Sequence, residues 1–262
     1  MVMAPAHAGM GFCAGLYAAH FIPPLLEHPA HPGVQVTFGL LTAGAAIVPD
    51  LDCHSATAAR SLGPLSRLPA RLISNLSSVV YRSTRTPRDS NRGGDHRGIT
   101  HTIPGATVFA AIAAATVAYG GRNGLLGVTF VLFLFALRAL PPVHRIDKDL
   151  VVSAALTLGV YVLMTEAGVT DATAPAWLGA AVLLGCLVHD LGDAPTESGC
   201  PLVFPLKIKG QRWYPVSLPK WMRFRAANKG ANAAILVLSL AAAGWLLLQP
   251  RLPGLIPSAV QP

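Results

Sequence analysis

WLGAAVLLGCLVHDLGD, Trp177–Asp193, is the stretch on which the fold turns. From Trp177 to Val188 it carries no charged or imidazole side chain, and then His189, Asp190 and Asp193 close it. No polar face recurs every three or four residues, as a surface helix of a soluble protein would need. Trp177–Leu191 therefore reads as a membrane helix with ionisable groups held at one end. Working outward, Ile103–Tyr119, Leu125–Leu140, Leu150–Glu166 and Ala233–Leu248 are apolar runs of the same kind. Two weaker windows, Gly9–Leu26 and Val34–Val48, carry His20, Pro23, Pro24 and Gln35 and fit a broken or buried helix. The expected fold class is all-α: a polytopic membrane helical bundle of about seven spans, with five as the lower count.

Composition agrees. Of 262 residues, 52% are hydrophobic and 12% charged, against about 25% charged in an ordinary soluble domain, which excludes disorder and argues against a soluble globule. The 22 prolines and 25 glycines have no fixed period, and the four cysteines form no CxxC pair, so repeat arrays and a disulfide or zinc-ribbon framework are out. The net charge of +8 fits nucleic acid, anionic lipid, or basic loops on one side of a membrane.

The position of the charges decides among these. With seven crossings, Leu51–Thr100, Arg138–Asp149 and Asp190–Asn232 fall on one side and hold 18 of the 20 basic residues, leaving Arg122 and Arg251 opposite. Basic loops mark the cytoplasmic side, so the N-terminus is expected inside and the C-terminus outside. No Lys or Arg precedes the first window, so it is not expected to be a cleaved signal peptide.

The long basic loops have texture of their own. Leu65, Leu68, Leu72, Ile73, Leu76, Val79 and Val80 follow helical spacing with Arg67 and Arg71 between them, which fits either an amphipathic helix on the membrane surface or a helix of a packed soluble subdomain. Arg82–Gly94 is polar and turn-rich and is expected to be mobile. Lys207–Pro215 resembles a short hairpin, and Trp213, Tyr214, Trp221 and Phe224 alternate with Lys220, Arg223 and Arg225, a mixture suited to lipid headgroups.

Ionisable groups beside membrane spans need a reason. Four sets stand out: His7 before the first window; Asp50 and Asp52 in PDLD after the second; His96 and His101 in HRGITH before the third; and His189, Asp190 and Asp193 closing the sixth. All fall at the cytoplasmic ends of helices, although the histidines played no part in the charge argument. If PDLD is extended, Asp50 and Asp52 point the same way. His189 and Asp193, one helical turn apart, share a face, and Pro195 ends that helix. His96 and His101 can converge if Gly98 turns the chain into a helix near Thr100. Imidazoles with carboxylates suit Zn or Mn better than Cu(I), and so many candidates exceed one tetrahedral ion, so two ions are plausible. His7 reads equally as a ligand or as a solvated or capping residue. Arg97, beside His96, is either a bidentate phosphate contact or a plain juxtamembrane arginine. His54, His144, Asp147 and Asp149 lack a comparable pattern, and His20, His28 and His31 fall toward the other side.

The ordered set His7, PDLD, HRGITH and LVHDLGDAPTESGCPLVFPL resembles the YdjM-like family of bacterial inner-membrane proteins, described as predicted metal-dependent hydrolases. The resemblance covers about residues 1–205 and implies His7, Asp50, Asp52, His96, His101, His189 and Asp193 as metal ligands, with Thr196, Gly199, Phe204 and Pro205 matching the downstream element. Because HDLGD carries an extra acid, either Asp190 or Asp193 can be the ligand; Arg97 and Asp190 are the candidate catalytic groups. The resemblance divides the chain into a membrane metal-hydrolase unit, 1–205, and a basic aromatic segment with a final membrane helix, 206–262. It also implies a multi-pass inner-membrane location. The ligand pattern is similar in style to zinc-dependent phospholipase C and related single-strand nucleases, which implies metal-assisted phosphoester hydrolysis.

The leading expectation is an integral membrane metal-dependent hydrolase at the cytoplasmic interface, acting on a phospholipid or another amphiphilic phosphoester, with membrane lipid as its partner. A divalent-metal transporter would place its acids near mid-span, and a scaffold would have a closed structural metal site. Without an aromatic-rich nucleic-acid module, nucleic acid is not the expected substrate.

Overall fold

The computed structural model describes residues 3–19, 32–61, 63–91, 97–140, 146–166 and 172–248. Its helices are α1 (Ala4–Ala19), α2 (Pro32–Ala45), the single turn α3 (Thr57–Arg60), α4 (Pro64–Thr84), α5 (Ile103–Ala139), α6 (Ile146–Glu166), α7 (Ala174–Asp193) and α8 (Lys229–Leu248). The protein is an all-α helical bundle. Among the described residues, five helical segments are long and apolar enough to cross a membrane: Pro32–Asp52, Ile103–Ala139, Lys148–Glu166, Ala174–Asp193 and Lys229–Leu248. That equals the lower count read from the sequence, with Ile103–Ala139 counted once although it covers two of the apolar windows. The first window is described only as α1, 16 residues long, and the windows at 103–119 and 125–140 lie in the one 37-residue α5.

That helix is not straight. Straight, it would extend roughly 55 Å, well beyond the hydrocarbon core of about 30 Å. Gly121 breaks it with φ 51° and ψ −134°, a backbone region open to glycine. A Cβ on Gly124 would fall on the Thr116 carbonyl, eight residues back, so the chain doubles back on itself.

Packing inside the bundle depends on small residues, because lipid provides no hydrophobic drive between helices. α1 lies on α2 and α8, while α2 also packs on α5 and α7. A Cβ on Gly15 would sit 2.7 Å from the Gly39 Cα, and one on Gly185 would sit 2.5 Å from the Ala45 Cβ. These contacts draw α1, α2 and α7 together. Outward faces are apolar: Val108 and Ile112 on α5, Val151, Leu158 and Val162 on α6, and Val237, Leu238 and Leu240 on α8 are exposed, as lipid-facing surfaces require.

At one end of the bundle α4 packs against the turns around Asp52 and Thr100. The expected hairpin is present: Ile208 and Gln211 exchange backbone hydrogen bonds of 2.9 Å, and Lys209 and Gly210 have positive φ of 51° and 81°, as a two-residue primed turn demands. It docks on the end of α4. Trp213 Nε1 donates to Thr84 Oγ1 at 3.1 Å, and the Trp213 ring lies against Tyr81 and stacks on Phe204 at 4.1 Å. This corrects the expectation of mobility for residues 82–91; residues 92–94 lie outside the described residues. Through Asn91 the segment is folded around Asp89, which accepts hydrogen bonds from Thr86 N and Oγ1, Arg212 N and Trp213 N. Composition could not reveal donors supplied from more than a hundred residues away.

Candidate metal centre

Four segments bring ionisable side chains to one end of the bundle. α1 contributes His7; the turn after α2 contributes Asp50 and Asp52; the turn before α5 contributes Arg97 and His101; α7 contributes His189, Asp190 and Asp193. Each of these side chains is buried, with His7, His101, His189, Asp190 and Asp193 at 0% exposure. His96 lies outside the described residues.

PDLD is not extended. Pro49 starts a single 3-10 turn, Pro49–Asp52, in which successive side chains are about 120° apart. Asp50 and Asp52 therefore diverge, correcting the expectation that they point together. Asp50 Oδ1 lies 3.6 Å from His189 Nε2 and 3.8 Å from His101 Nε2. Asp52 instead approaches the other edge of the His101 ring, Oδ2 to Nδ1 at 3.3 Å, and accepts the Thr100 hydroxyl at 2.6 Å.

The chain turns into α5 as the spacing requires. Gly98 precedes a short 3-10 turn, Ile99–His101, and Thr102 caps α5, its hydroxyl accepting from Gly105 N at 3.1 Å. The residue before Gly98, Arg97, has φ 54°, unusual for a side chain of its size. Its guanidinium holds the conformation: Nη1 donates to Thr196 Oγ1 and the Gly199 carbonyl at 2.8 and 2.9 Å, and Nη2 lies 2.6 Å from Asp193 Oδ2. Arg97 thus ties the HRGITH turn to the end of α7.

The histidines have defined orientations. Nδ1 of His189 lies 2.8 Å from the Ala46 carbonyl; a carbonyl only accepts, so Nδ1 carries the proton and Nε2 faces inward. The two inward nitrogens, His101 Nε2 and His189 Nε2, are 3.3 Å apart. His7 stacks on His189 with centroids 3.8 Å apart and places Nε2 3.5 Å from Asp193 Oδ1. Burial would lower the pKa of His101, but the Asp52 and Asp50 carboxylates beside it hold the imidazole well above its usual range.

These donors form two groups that could hold a metal ion: Asp50, His101 and His189; and His7, His189 and Asp193. Donor separations of 3.3, 3.6 and 3.8 Å in the first suit a tetrahedral ion with bonds of about 2.1 Å, whose donors lie about 3.4 Å apart. Asp50 Oδ1 and both His7 nitrogens are buried without a hydrogen bond, an expensive state that a cation would relieve. Among the described residues, four buried carboxylates, Asp50, Asp52, Asp190 and Asp193, share this end of the bundle with one buried guanidinium, Arg97, which adds to the case. His189 belongs to both groups but has one free nitrogen, so the two groups cannot each hold a three-donor ion simultaneously. Asp190 belongs to neither; both its oxygens are buried without a hydrogen bond.

Thr100 and the Ala46 carbonyl, which orient the histidines, were not anticipated from sequence. Thr100 sits within HRGITH, but nothing in the motif distinguishes a hydroxyl that steadies a carboxylate from an ordinary helix-start threonine.

Fold and site together define a multi-pass membrane protein with a buried imidazole–carboxylate centre at one end of its bundle. Comparison with family models makes this specific: residues 1–252 match the YdjM inner membrane protein family, and the chain belongs to that family. No curated protein and no solved structure matches the chain.

Proposed function

We propose that this protein is an integral membrane metal-dependent hydrolase whose centre lies at the cytoplasmic face of the inner membrane and acts on a phosphoester, with a phospholipid the favoured class. The observation that supports it most is the meeting of Asp50 Oδ1, His101 Nε2 and His189 Nε2 within 3.8 Å of one another, with each imidazole held from behind by an acceptor. This is how proteins fix metal-binding histidines. Zn or Mn suits the donors. Bound there, such an ion would acidify water and stabilise charge growing on phosphoryl oxygens.

Asp50, His101 and His189 hold the ion. Asp52 and Thr100 orient His101, and Ala46 orients His189. His7 and Asp193 line the adjoining side, where a second ion lacks a third free donor among the described residues once His189 is used. Arg97 positions Asp193 and provides positive charge next to the centre. Asp190, with neither oxygen committed, is the group available to take or return a proton. The basic loops on this side of the bundle give it its cytoplasmic assignment.

Burial favours one rival. A centre at 0–2% exposure across its donors is what a metal that pins helices together would have. Metal analysis of detergent-purified protein, with phosphoester-lipid hydrolysis before and after chelation, separates the two. The enzyme loses hydrolysis on chelation, regains it with Zn or Mn and stays helical; a structural centre unfolds as the metal leaves. Metal-loaded protein inert toward every phosphoester lipid would end the hydrolase reading.

A further inference from the structure

α4 is amphipathic in an inverted sense. The face it turns to the protein is small and polar: Ser66, Ala70, Ser74, Ser77 and Tyr81 are buried, Ser66 Oγ donates to the Ala59 carbonyl, and Ser77 Oγ accepts from Ile99 N at 3.1 Å in the turn carrying His101. The opposite face presents Leu68, Leu72, Leu76 and Val79, each 60–62% exposed. At 100° per residue they fall in a strip about 80° wide. A continuous apolar stripe about three turns long marks an interaction surface; something apolar covers it.

The flank of the stripe identifies the cover. Arg67 and Arg71, one turn apart, join Arg60 and His54 around a cleft of about 220 Å³. Among the described residues none of these three arginines has a carboxylate partner. Leucines beside unpaired arginines match the two layers of a membrane interface, acyl chains and phosphate. A second copy of the chain would cover the leucines but would bring the same arginines toward one another.

We propose that α4 is an interfacial helix: its Leu68–Leu72–Leu76–Val79 stripe enters the acyl boundary, and Arg60, Arg67 and Arg71 bind the phosphate of an anionic phospholipid. Because the buried face of α4 braces the Ile99–His101 turn, the helix forms a wall with the candidate metal centre on one side and lipid on the other. The inference needs the membrane location but not the hydrolase reading.

The test uses the full chain in nanodiscs of mixed phosphatidylglycerol and phosphatidylcholine, with no assay of activity. On a C13S/C53S background, spin labels at L72C or L76C should collide more with oxygen than with a water-soluble chromium complex, and a label at S83C should do the reverse. Arg60→Gln, Arg67→Gln and Arg71→Gln together should lower the preference for bound phosphatidylglycerol, read by native mass spectrometry, about tenfold or more. Equal charge removed elsewhere, K207Q/K220Q/R223Q, should leave most of it. The proposal is overturned if Leu72 is as water-accessible as Ser83, if spin–spin broadening places a second copy on the stripe, if both triple variants lose the preference equally, or if millimolar inorganic phosphate displaces the lipid.

Discussion

Two aspartates in this protein, one part-exposed and one buried, show opposite ways of settling a carboxylate. Asp89, in the cap beside α4, meets four donors from its own chain; burial would raise its pKa, but the Thr86, Trp213 and Arg212 donors hold the carboxyl below its usual range. Asp50, in the bundle, keeps Oδ1 buried with no hydrogen bond while two imidazole nitrogens face it. The first carboxylate is complete and joins two loops. The second is incomplete, and its missing partner is the reason to infer an ion. Satisfaction of a buried group distinguishes structural polarity from a site awaiting something.

The largest effect should come from His101→Ala or His189→Ala. Either removes a donor and little apolar surface, so metal content should fall to background and phosphoester hydrolysis by orders of magnitude, while helicity in detergent persists. Loss of the fold along with the metal would make the centre structural and bring it closer in kind to Asp89.

Next come the orienting groups. Asp52→Asn or Thr100→Ala leaves both facing Nε2 atoms in place but loosens His101, and should weaken metal affinity by about 10–100-fold, measured by competition with a chromophoric chelator. An effect as large as that of His101→Ala would mean that Asp52 is itself a ligand.

Asp89→Ala should leave metal content unchanged and cost about 1–3 kcal/mol through its lost charge-assisted hydrogen bonds, seen as a lower unfolding midpoint in detergent and faster proteolysis within residues 84–91. Any loss of bound metal would show that cap and centre are not independent.

The smallest effect is in pH. The folded pKa of Asp89 is depressed, so its contribution is complete above the unfolded value of about 3.9 and disappears as pH falls through the lower folded value. The stability gap between wild type and Asp89→Asn should be flat from about pH 7 to 5 and narrow below about pH 4. A gap that widens with acid would reverse the sign assigned here.

Much of this was legible in the linear chain. Apolar runs located the helices because an unbroken apolar stretch has few other stable homes, and Gly120–Gly124 fell between two windows where α5 doubles back. The four chemical sets could be placed at one end of the bundle because crossing parity and loop charge are properties of sequence order. Local geometry was less accessible: Asp50 and Asp52 have the same side chain two residues apart, and only the 3-10 turn sends one to the Nε2 edge and the other to the Nδ1 edge.

The sequence by itself determined which residues are apolar, where the helices lie and which acids and histidines accompany their ends, since these follow from hydropathy and spacing. Tertiary structure alone decided which nitrogen of each histidine faces the centre, that Arg97 is spent on Asp193, Thr196 and Gly199, and that the leucines of α4 look outward. Periodicity defines a stripe relative to its own helix axis; the direction that stripe faces depends on what packs behind it, here serines and an alanine seated against turns far away in the chain.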